Sequence, residues 1–466
     1  MSSAIPILDL AGFLADPVAP AGFPSFRMRF WNARWADAVG LGHLDEAAQI
    51  AHFGRFEPLP GNLPQPLALR YHGHQFGVYN PDLGDGRGFL FAQLRDRDGR
   101  LLDLGTKGSG QTPWSRQGDG RLTLKGGVRE VLAASYLEAL GVNTSKAFAL
   151  VQTGEALQRN DEPSPTRSSV LTRLSHSHIR FGSFQRLAYF EDRESMARLV
   201  NYCVAAFHPE ADDPDMGRKV CGLLERVAVA TGQMIGQWMA AGFVHGVMNT
   251  DNFNITGETF DFGPWRFLPV SDPNFTAAYF DQNGLYRFGR QPVQGAWALQ
   301  QLASALLLLA DADDLAQALA PYQAAYRDSF IAHTHALLGL EPVREGEADL
   351  DFLQAFYGWM TESGASWPQV FHDWFGGVAS EARAAASPLA ALYAADAFAL
   401  VRAQIFARTP VRPERLRHEI FQRPVPPSLL VDEVEALWAP IAEADDWSAY
   451  AVKLEEIEAL RLARRG

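Results

Sequence analysis

The sequence predicts an α+β fold in which a strand-rich amino-terminal lobe is followed by a helical carboxyl-terminal lobe. Between residues 69 and 151, short apolar runs alternate with glycine turns, a pattern typical of strands joined by tight turns. From about residue 196 onward, apolar residues recur at helical spacing,. Residues 245–252 and the Asp-Phe-Gly that begins at Asp261 then follow in the order of a protein-kinase catalytic lobe,. We therefore expect a bilobal, kinase-like fold with extra helices at the carboxyl end.

The first lobe contains a predicted hairpin, a predicted helix and a further strand. Residues 88–94 and 101–107 are apolar runs joined through an Asp-Gly pair, which favours a tight turn. Residues 128–140 carry apolar side chains at helical spacing and precede a glycine that favours a helix end,. Residues 168–174 are predicted to form a strand,.

Four parts of the chain are expected from these patterns. Residues 1–68 mix helical segments with Pro/Gly loops and form an amino-terminal extension. Residues 69–190 form the lobe with the nucleotide-binding loops, and residues 191–372 form the helical lobe with the catalytic loop. Residues 373–466 form a carboxyl-terminal helical extension.

The composition is that of a large globular protein. With 466 residues, 47% of them hydrophobic, the chain can bury one large core or several smaller ones,. A net charge of -13 argues against nucleic acid as the main partner,. The longest strongly apolar run, residues 305–310, is too short to span a membrane, and no secretion signal is recognisable,. Cys203 and Cys221 lie in apolar segments and are expected to be reduced thiols. We expect a cytoplasmic protein.

The catalytic loop departs from a kinase at one position. A kinase loop reads His-x-Asp, four spacers and then Asn, where the Asp accepts the proton of the nucleophile and the Asn holds a metal ion. Here Asn252 keeps the Asn position, but Val247 replaces the Asp. Asn252 and Asp261 would supply oxygens to a hard cation. Asp251 is the carboxylate left as a candidate base, although an Asp in such a loop can also simply cap local N–H groups.

Further groups are placed for binding phosphates. Gly84 and Gly86 open the first strand pair and would allow backbone N–H groups to approach phosphates, with Arg87 adding charge, although such turns often bind nothing,. Lys107 ends the second strand and Glu130 lies near the helix start, which is the order of the kinase Lys–Glu ion pair,.

The segment between Lys107 and Glu130 and the one after it carry further candidates. Residues 108–121 form a glycine-rich polar loop too long for a simple turn, and such loops tend to be functional,. Arg173 and Arg180 suit phosphate oxygens but could equally be surface ion-pair partners,. The histidines at 72, 74, 176 and 178 are expected to be structural, because no carboxylate stands at matching spacing,.

Together these motifs resemble the selenoprotein O family, called YdiU in bacteria. The resemblance covers roughly residues 69–305. It is carried by residues 71–87, 104–121, 128–130, 171–184, 245–252, 261–264, 288–292 and 297–299. It implies a pseudokinase fold that binds ATP in an orientation flipped relative to kinases and transfers AMP to hydroxyl side chains of proteins. That reaction would account for the missing kinase Asp.

Carried over by position, the resemblance implies the following roles. The nucleotide and its phosphates would be bound by Gly84, Gly86, Arg87, Lys107, Asp119, Gly120, Arg173, Arg180 and Asp261, with Glu130 pairing with Lys107. Asp251 would be the proton acceptor, and Asn252 and Asp261 would hold Mg²⁺ or Mn²⁺. The partners would be proteins with Ser, Thr or Tyr hydroxyls, including the enzyme itself through self-AMPylation, and neither nucleic acid nor a membrane.

Two features depart from the family pattern. Many members end in a cysteine or selenocysteine, whereas residues 460–466 contain neither, so a redox role through that residue is not expected. The segment after about residue 372 also matches the family poorly. Two other functions remain open at this point: a kinase that transfers the γ-phosphate with Asp251 as a displaced base, and a non-catalytic ATP-binding module.

Overall fold

The computed structural model describes residues 5–344 and 346–465 and is an α+β structure. Its strands are β1 Ala15–Pro17, β2 Arg27–Trp31, β3 Leu67–Leu69, β4 Gly73–Gln75, β5 Val78–Asn80, β6 Leu90–Arg95, β7 Leu101–Lys107, β8 Leu122–Thr123, β9 Lys146–Leu157, β10 Thr166–Ser175, β11 Phe243–Val244 and β12 Arg266–Phe267.

Helices dominate the chain after the last long strand. They are α1 Ala11–Leu14, α2 Ala33–Ala38, α3 Glu46–Phe53, α4 Leu124–Ala139, α5 Phe181–Tyr189, α6 Arg193–Phe207, α7 Met216–Ala241, α8 Gln291–Leu306, α9 Ala312–Leu319, α10 Pro321–Leu338, α11 Ala348–Ser363, α12 Trp367–Asp373, α13 Glu381–Ala385, α14 Ala390–Ala394, α15 Ala399–Phe406, α16 Glu419–Gln422, α17 Val431–Ala444 and α18 Ser448–Arg465. Among the described residues, no helix is both long enough and apolar enough to cross a membrane.

The main sheet is antiparallel, with the strand order β1-β3-β6-β7-β10-β9-β2 and with β8 paired to β10. The predicted hairpin is confirmed as β6 and β7, and Gly99 adopts the positive φ of +79° that their turn requires,. The strand predicted at residues 168–174 lies within β10. The predicted helix is α4, which begins earlier than expected because the Thr123 side chain accepts a hydrogen bond from the Gly126 N–H as an N-cap,.

The interpretation of residues 1–68 as helix and loop is incomplete, because both edge strands of the main sheet come from this segment. β1 is three residues long and ends in a proline, and β2 carries two arginines on a partly exposed strand. Neither shows the apolar alternation by which strands are found in a sequence. Both have the features that protect a sheet edge from pairing with another chain.

Helix α7 determines where the catalytic loop begins. It packs along α10, and two glycines allow the close approach: a Cβ at Gly232 would lie 2.7 Å from the Tyr322 carbonyl oxygen, and one at Gly236 would lie 2.7 Å from that of Tyr326. The helix ends at Gly242, whose φ of +66° turns the chain directly into β11,. The catalytic loop starts immediately after this strand, at His245.

Candidate active site

A cavity of about 630 Å³ brings together most of the residues that the sequence singled out. Ten of the predicted site residues line it: Gly84, Gly86, Arg87, Lys107, Asp119, Gly120, Arg173, Arg180, Asp251 and Asp261. Glu130 lies behind Lys107 and is bonded to it. Asn252 is not part of the cavity lining and ends the short 3-10 helix Thr250–Asn252, directly after Asp251.

The Lys107 ammonium joins three elements of the site. It donates to Glu130 Oε1 on α4 and to Asp261 Oδ1, the latter at 3.0 Å. Both Lys107 and Glu130 are buried. A buried charge is stable only when it is paired and hydrogen-bonded. The pair therefore fixes the end of β7 relative to α4 and places one positive charge at the cavity wall.

Asp261 is surrounded by positive charge. Besides Lys107, it accepts hydrogen bonds from Arg173 at 3.3 Å and from Arg180 at 2.9 Å. Burial opposes its ionisation, but Lys107 and the two guanidinium groups outweigh that effect and hold the pKa of the Asp261 carboxyl well below its usual range,. Its backbone has a φ of +56°, a costly conformation for a residue other than glycine that is typical of functional sites.

Arg180 connects the two predicted catalytic carboxylates. Its guanidinium donates to the Asp251 backbone carbonyl oxygen at 2.8 Å and to Asp261 Oδ2 at 2.9 Å. The rings of Tyr71 and Phe260 flank it at 4.5 and 4.8 Å from their centroids. These contacts fix a fully charged, planar donor at the bottom of the cavity.

Asp251 has the opposite environment. It is almost fully buried, and no hydrogen-bond donor within the described parts of the chain reaches its Oδ1. Burial raises the pKa of its carboxyl from 3.8 to about 7. Gly73 of β4 packs directly against it, because a Cβ at that position would lie 2.8 Å from Oδ1. Asp251 thus has a carboxylate oxygen without a partner at the cavity wall, which a general base requires.

Asn252 and Asp261 have the donor atoms that suit a magnesium-type cation. The Asn252 amide nitrogen donates to the Val247 carbonyl oxygen at 2.9 Å, which turns the amide oxygen away from that loop,. Asp261 contributes an ionised carboxylate at the cavity wall. Mg²⁺ is commonly held by one or two protein oxygens, together with phosphate oxygens and water. These two side chains fit that requirement.

The glycine-rich segment 84–88 lies under the long loop 108–121. Trp114 of this loop covers Gly84 so closely that a Cβ on the glycine would lie 2.3 Å from the indole ring. The Thr112 hydroxyl donates to the Asp85 carbonyl oxygen at 2.5 Å. Gly88 crosses the neighbouring strand, where a Cβ would lie 2.0 Å from the Thr106 carbonyl oxygen. The glycines are therefore required by close packing as well as by any approach of phosphates.

Asp119 and Gly120 lie at the other end of this loop. Asp119 is half-exposed and forms an ion pair with Arg159 at 2.8 Å. Gly120 has a φ of +70°, and its carbonyl oxygen accepts from the Gly110 N–H, which closes the loop.

Sequence reasoning missed three residues that shape the cavity. Asp85 and Trp114 line it, and Asp16 holds Trp114 by accepting its indole N–H at 2.9 Å. A tryptophan in an otherwise polar, glycine-rich loop is the one local signal that could have been used. Asp16 has no such signal, because it lies 98 residues away from Trp114 in the chain.

Comparisons with known proteins agree with this geometry. The family model for protein adenylyltransferase SelO matches residues 7–458. A protein named protein nucleotidyltransferase YdiU from Synechocystis sp. is 41% identical over 464 residues, covering 95% of each chain. Its namesake from Gloeobacter violaceus is 42% identical over 93% of this chain and 90% of its own. The protein of that name from Synechococcus elongatus is 48% identical over 72% of this chain and 67% of its own.

The match extends well beyond the segment of roughly residues 69–305 that carries the sequence resemblance. It includes the carboxyl-terminal helices as far as α18. On this basis the chain belongs to the SelO family and is an enzyme of the nucleotidyltransferase class.

Proposed function

We propose that this protein is an adenylyltransferase that moves AMP from ATP to Ser, Thr or Tyr hydroxyls of proteins, itself included, and releases pyrophosphate. The observation that carries the proposal is the pairing in one cavity of Asp251, a carboxylate with an unpartnered oxygen, with a cluster of cations around Asp261. The family description and the names of the relatives support the same reaction class.

The chemistry asks for two kinds of group. The acceptor oxygen attacks the α-phosphorus, the bond from that phosphorus to the bridging oxygen of the β-phosphate breaks, and pyrophosphate leaves. Lys107, Arg173 and Arg180 are placed to stabilise the negative charge that develops on the phosphates,. Asp251 would take the proton of the hydroxyl, and Arg180 would hold the Asp251 backbone in position for that step,.

We propose that Asn252 and Asp261 hold the metal, either Mg²⁺ or Mn²⁺. When bound, such an ion supplies further positive charge at the phosphate oxygens. Gly84, Gly86 and Arg87 would bind the nucleotide from one side of the cavity, and Asp119 and Gly120 from the other. The ion pair between Asp119 and Arg159 would then have to open or rearrange when ATP binds.

The arrangement of the chain is proposed to be that of a bilobal pseudokinase. Its support is the Lys107–Glu130 pair between a strand and a helix, followed in the chain by the loop with Asn252 and by Asp261,. Residues 69–190 and 191–372 would be the two lobes, with extensions at 1–68 and 373–466. A cytoplasmic location is supported by the free thiols of Cys203 and Cys221,.

Incubation with ATP labelled separately at the α- and γ-phosphates tests the proposal. The purified protein is given Mg²⁺ or Mn²⁺ and a mixture of acceptor proteins, alongside Asp261→Ala and a control variant at an exposed carboxylate, Asp212→Ala. Label from the α position alone, lost in Asp261→Ala and kept in Asp212→Ala, is the expected result. Label from the γ position alone would make the protein a kinase, and no label from either would favour a non-catalytic ATP-binding module.

A further inference from the structure

A group of aromatic and aliphatic side chains is exposed beside the cavity. This aromatic surface comprises Phe76, Val78, Tyr79, Tyr189, Phe190, Tyr279 and Phe280. Val78 is 71% exposed and Tyr279 is 83% exposed. Single exposed apolar residues are common on proteins, but clusters of them mark binding surfaces.

Ring contacts make the surface continuous across three elements. The Phe76 ring meets that of Phe280 at 5.9 Å, which joins the β4–β5 hairpin to the loop after β12. Tyr279 is 5.2 Å from Phe280 within that loop. On the other side of the hairpin, Tyr79 stacks on Tyr189 at the end of α5 at 5.8 Å.

The β4–β5 hairpin is attached directly to the catalytic loop. The His74 N–H donates to the Thr250 hydroxyl at 2.7 Å, and the Phe76 N–H donates to Asn249 Oδ1 at 3.2 Å. Gly73 contacts the Asp251 carboxylate. The aromatic surface is therefore held at a fixed position relative to the proposed base.

Phe76 is held in a strained conformation. Its φ is +51°, in the left-handed region that a bulky residue rarely adopts,. Its N–H also lies 3.2 Å from the Tyr286 hydroxyl, and its ring packs against that of Tyr286 at 4.9 Å. Despite these contacts the ring stays 39% exposed. Strain of this kind persists where surrounding structure enforces it, and it is most frequent at functional sites.

The aromatic surface and the cavity share a wall. Gln75 lines the cavity together with Asp251, and the next residue, Phe76, lies on the aromatic surface. A polypeptide segment lying on this surface would therefore have a side chain within reach of the cavity. A second copy of the chain seated here would instead cover the route by which an acceptor protein approaches Asp251.

We propose that the aromatic surface binds the acceptor segment of the protein substrate. That segment would be an exposed stretch of polypeptide with an apolar or aromatic residue close to the acceptor hydroxyl. The proposal rests on the proposed function, since it concerns the second substrate of the same reaction. Binding of such a segment through a few aromatic contacts is typical of protein interfaces.

A peptide array tests the proposal. The peptides carry a central Ser, Thr or Tyr with varied flanking residues, and transfer is followed with α-labelled ATP. The test variant is Val78→Ser with Tyr279→Ser, two changes at highly exposed positions. The matched control is Leu400→Ser with Val452→Ser, which removes two exposed aliphatic side chains, 63% and 55% exposed, from α15 and α18.

The wild type and the control are expected to prefer peptides with apolar or aromatic flanks. In the test variant the KM for those peptides should rise about tenfold, while the affinity for ATP stays the same. Equal KM values in the test variant and the wild type, or no flank preference in the wild type, would overturn the docking proposal and leave the proposed function intact.

Two further results have separate meanings. Wild-type protein that transfers no α-label to any peptide or protein would overturn the proposed function, and the docking proposal with it. Sedimentation gives the other readout. A wild-type dimer that becomes monomeric in the test variant, with peptide transfer unchanged, would assign the surface to self-association and overturn the docking proposal.

Discussion

Asp251 and Asp261 are two buried carboxylates of one cavity whose surroundings push their pKa values in opposite directions. Burial raises the pKa of Asp251 to about 7. Lys107 and two arginines outweigh burial at Asp261 and lower its pKa. Carboxylates separated in this way commonly have separate tasks. Asp261 keeps its negative charge and suits a metal ion, whereas Asp251 has an unpartnered oxygen and suits a proton.

Replacing Asp251 with Asn should slow transfer of the α-label by about 10²-fold or more, because a positioned base contributes on that scale. The affinity for ATP should change by less than about twofold, since the substitution keeps the shape of the side chain. Rates come from label transfer and affinities from nucleotide titration. An Asp212→Asn variant is the control at an exposed carboxylate. Unchanged transfer in Asp251→Asn would remove this residue from the role of base.

Lys107→Met should destabilise the protein by about 3 kcal/mol, because it leaves Glu130 and Asp261 as buried carboxylates without the ammonium that binds both,. Adding Glu130→Gln should restore part of that loss, since one of the two uncompensated charges is then gone. Urea unfolding of the two single variants and the double variant measures this coupling. Strict additivity of the two changes would contradict a buried ion pair at this position.

At the scale of elements, loop 108–121 illustrates what a sequence reveals and what it leaves hidden. Its length and glycine content predicted a functional loop, and the structure places it along the cavity. Its anchor could not be predicted, because Asp16 reaches Trp114 across 98 residues and lies in an edge strand with no periodic signal. Local pattern finds a loop, but a contact between distant segments depends on the whole fold.

Asp16→Asn should loosen this loop while leaving the catalytic groups in place. Asp16 accepts from Trp114 and also pairs with Arg70, which in turn lies beside Gly84 through an isolated bridge. The KM for ATP should therefore rise several-fold, about 1 kcal/mol of binding, with kcat nearly unchanged. Asp37→Asn, which removes an exposed ion pair with Arg97, is the control. An equal fall of kcat with no change in KM would contradict a positioning role.

At the scale of the whole molecule, the carboxyl-terminal helices complete the fold around the amino-terminal sheet. α18 packs on α4, the helix that carries Glu130. The turn between α17 and α18 places Asp445 against Arg27, Arg29 and Arg167 on the sheet. The sequence predicted these helices but not their contacts with the sheet, since partners so distant in the chain leave no common pattern. The proposed division at residue 372 still requires a test.

Asp445→Ala should lower the free energy of unfolding by about 1–2 kcal/mol, because it removes the shared partner of three half-exposed arginines,. Raised salt should reduce the difference from wild type, since these pairs are partly in water. Urea unfolding at two salt concentrations measures both effects. Glu443→Ala, a change at an exposed acid in the same helix, is the control and should have little effect.

Stability should fall as the pH drops from about 6.5 to about 4. Burial lowers the pKa of His372 to about 4, so the unfolded chain binds this proton at a higher pH than the folded protein does,. The stabilisation is complete above about pH 6.5 and is lost as the pH falls towards 4, on the order of 2–3 kcal/mol for this group. His372→Gln should flatten the profile of unfolding free energy against pH. His43→Gln, at an exposed position, should leave it unchanged.

The central claim is that Asp251 and the cations around Asp261 act on the α-phosphate. The most direct measurement is the intact mass of a single purified acceptor protein after incubation with ATP and Mg²⁺, together with an assay of the released phosphate species. The account predicts that the acceptor gains the mass of AMP and that one pyrophosphate is released for each AMP added. A gain of one phosphate, with ADP as the other product, would contradict it.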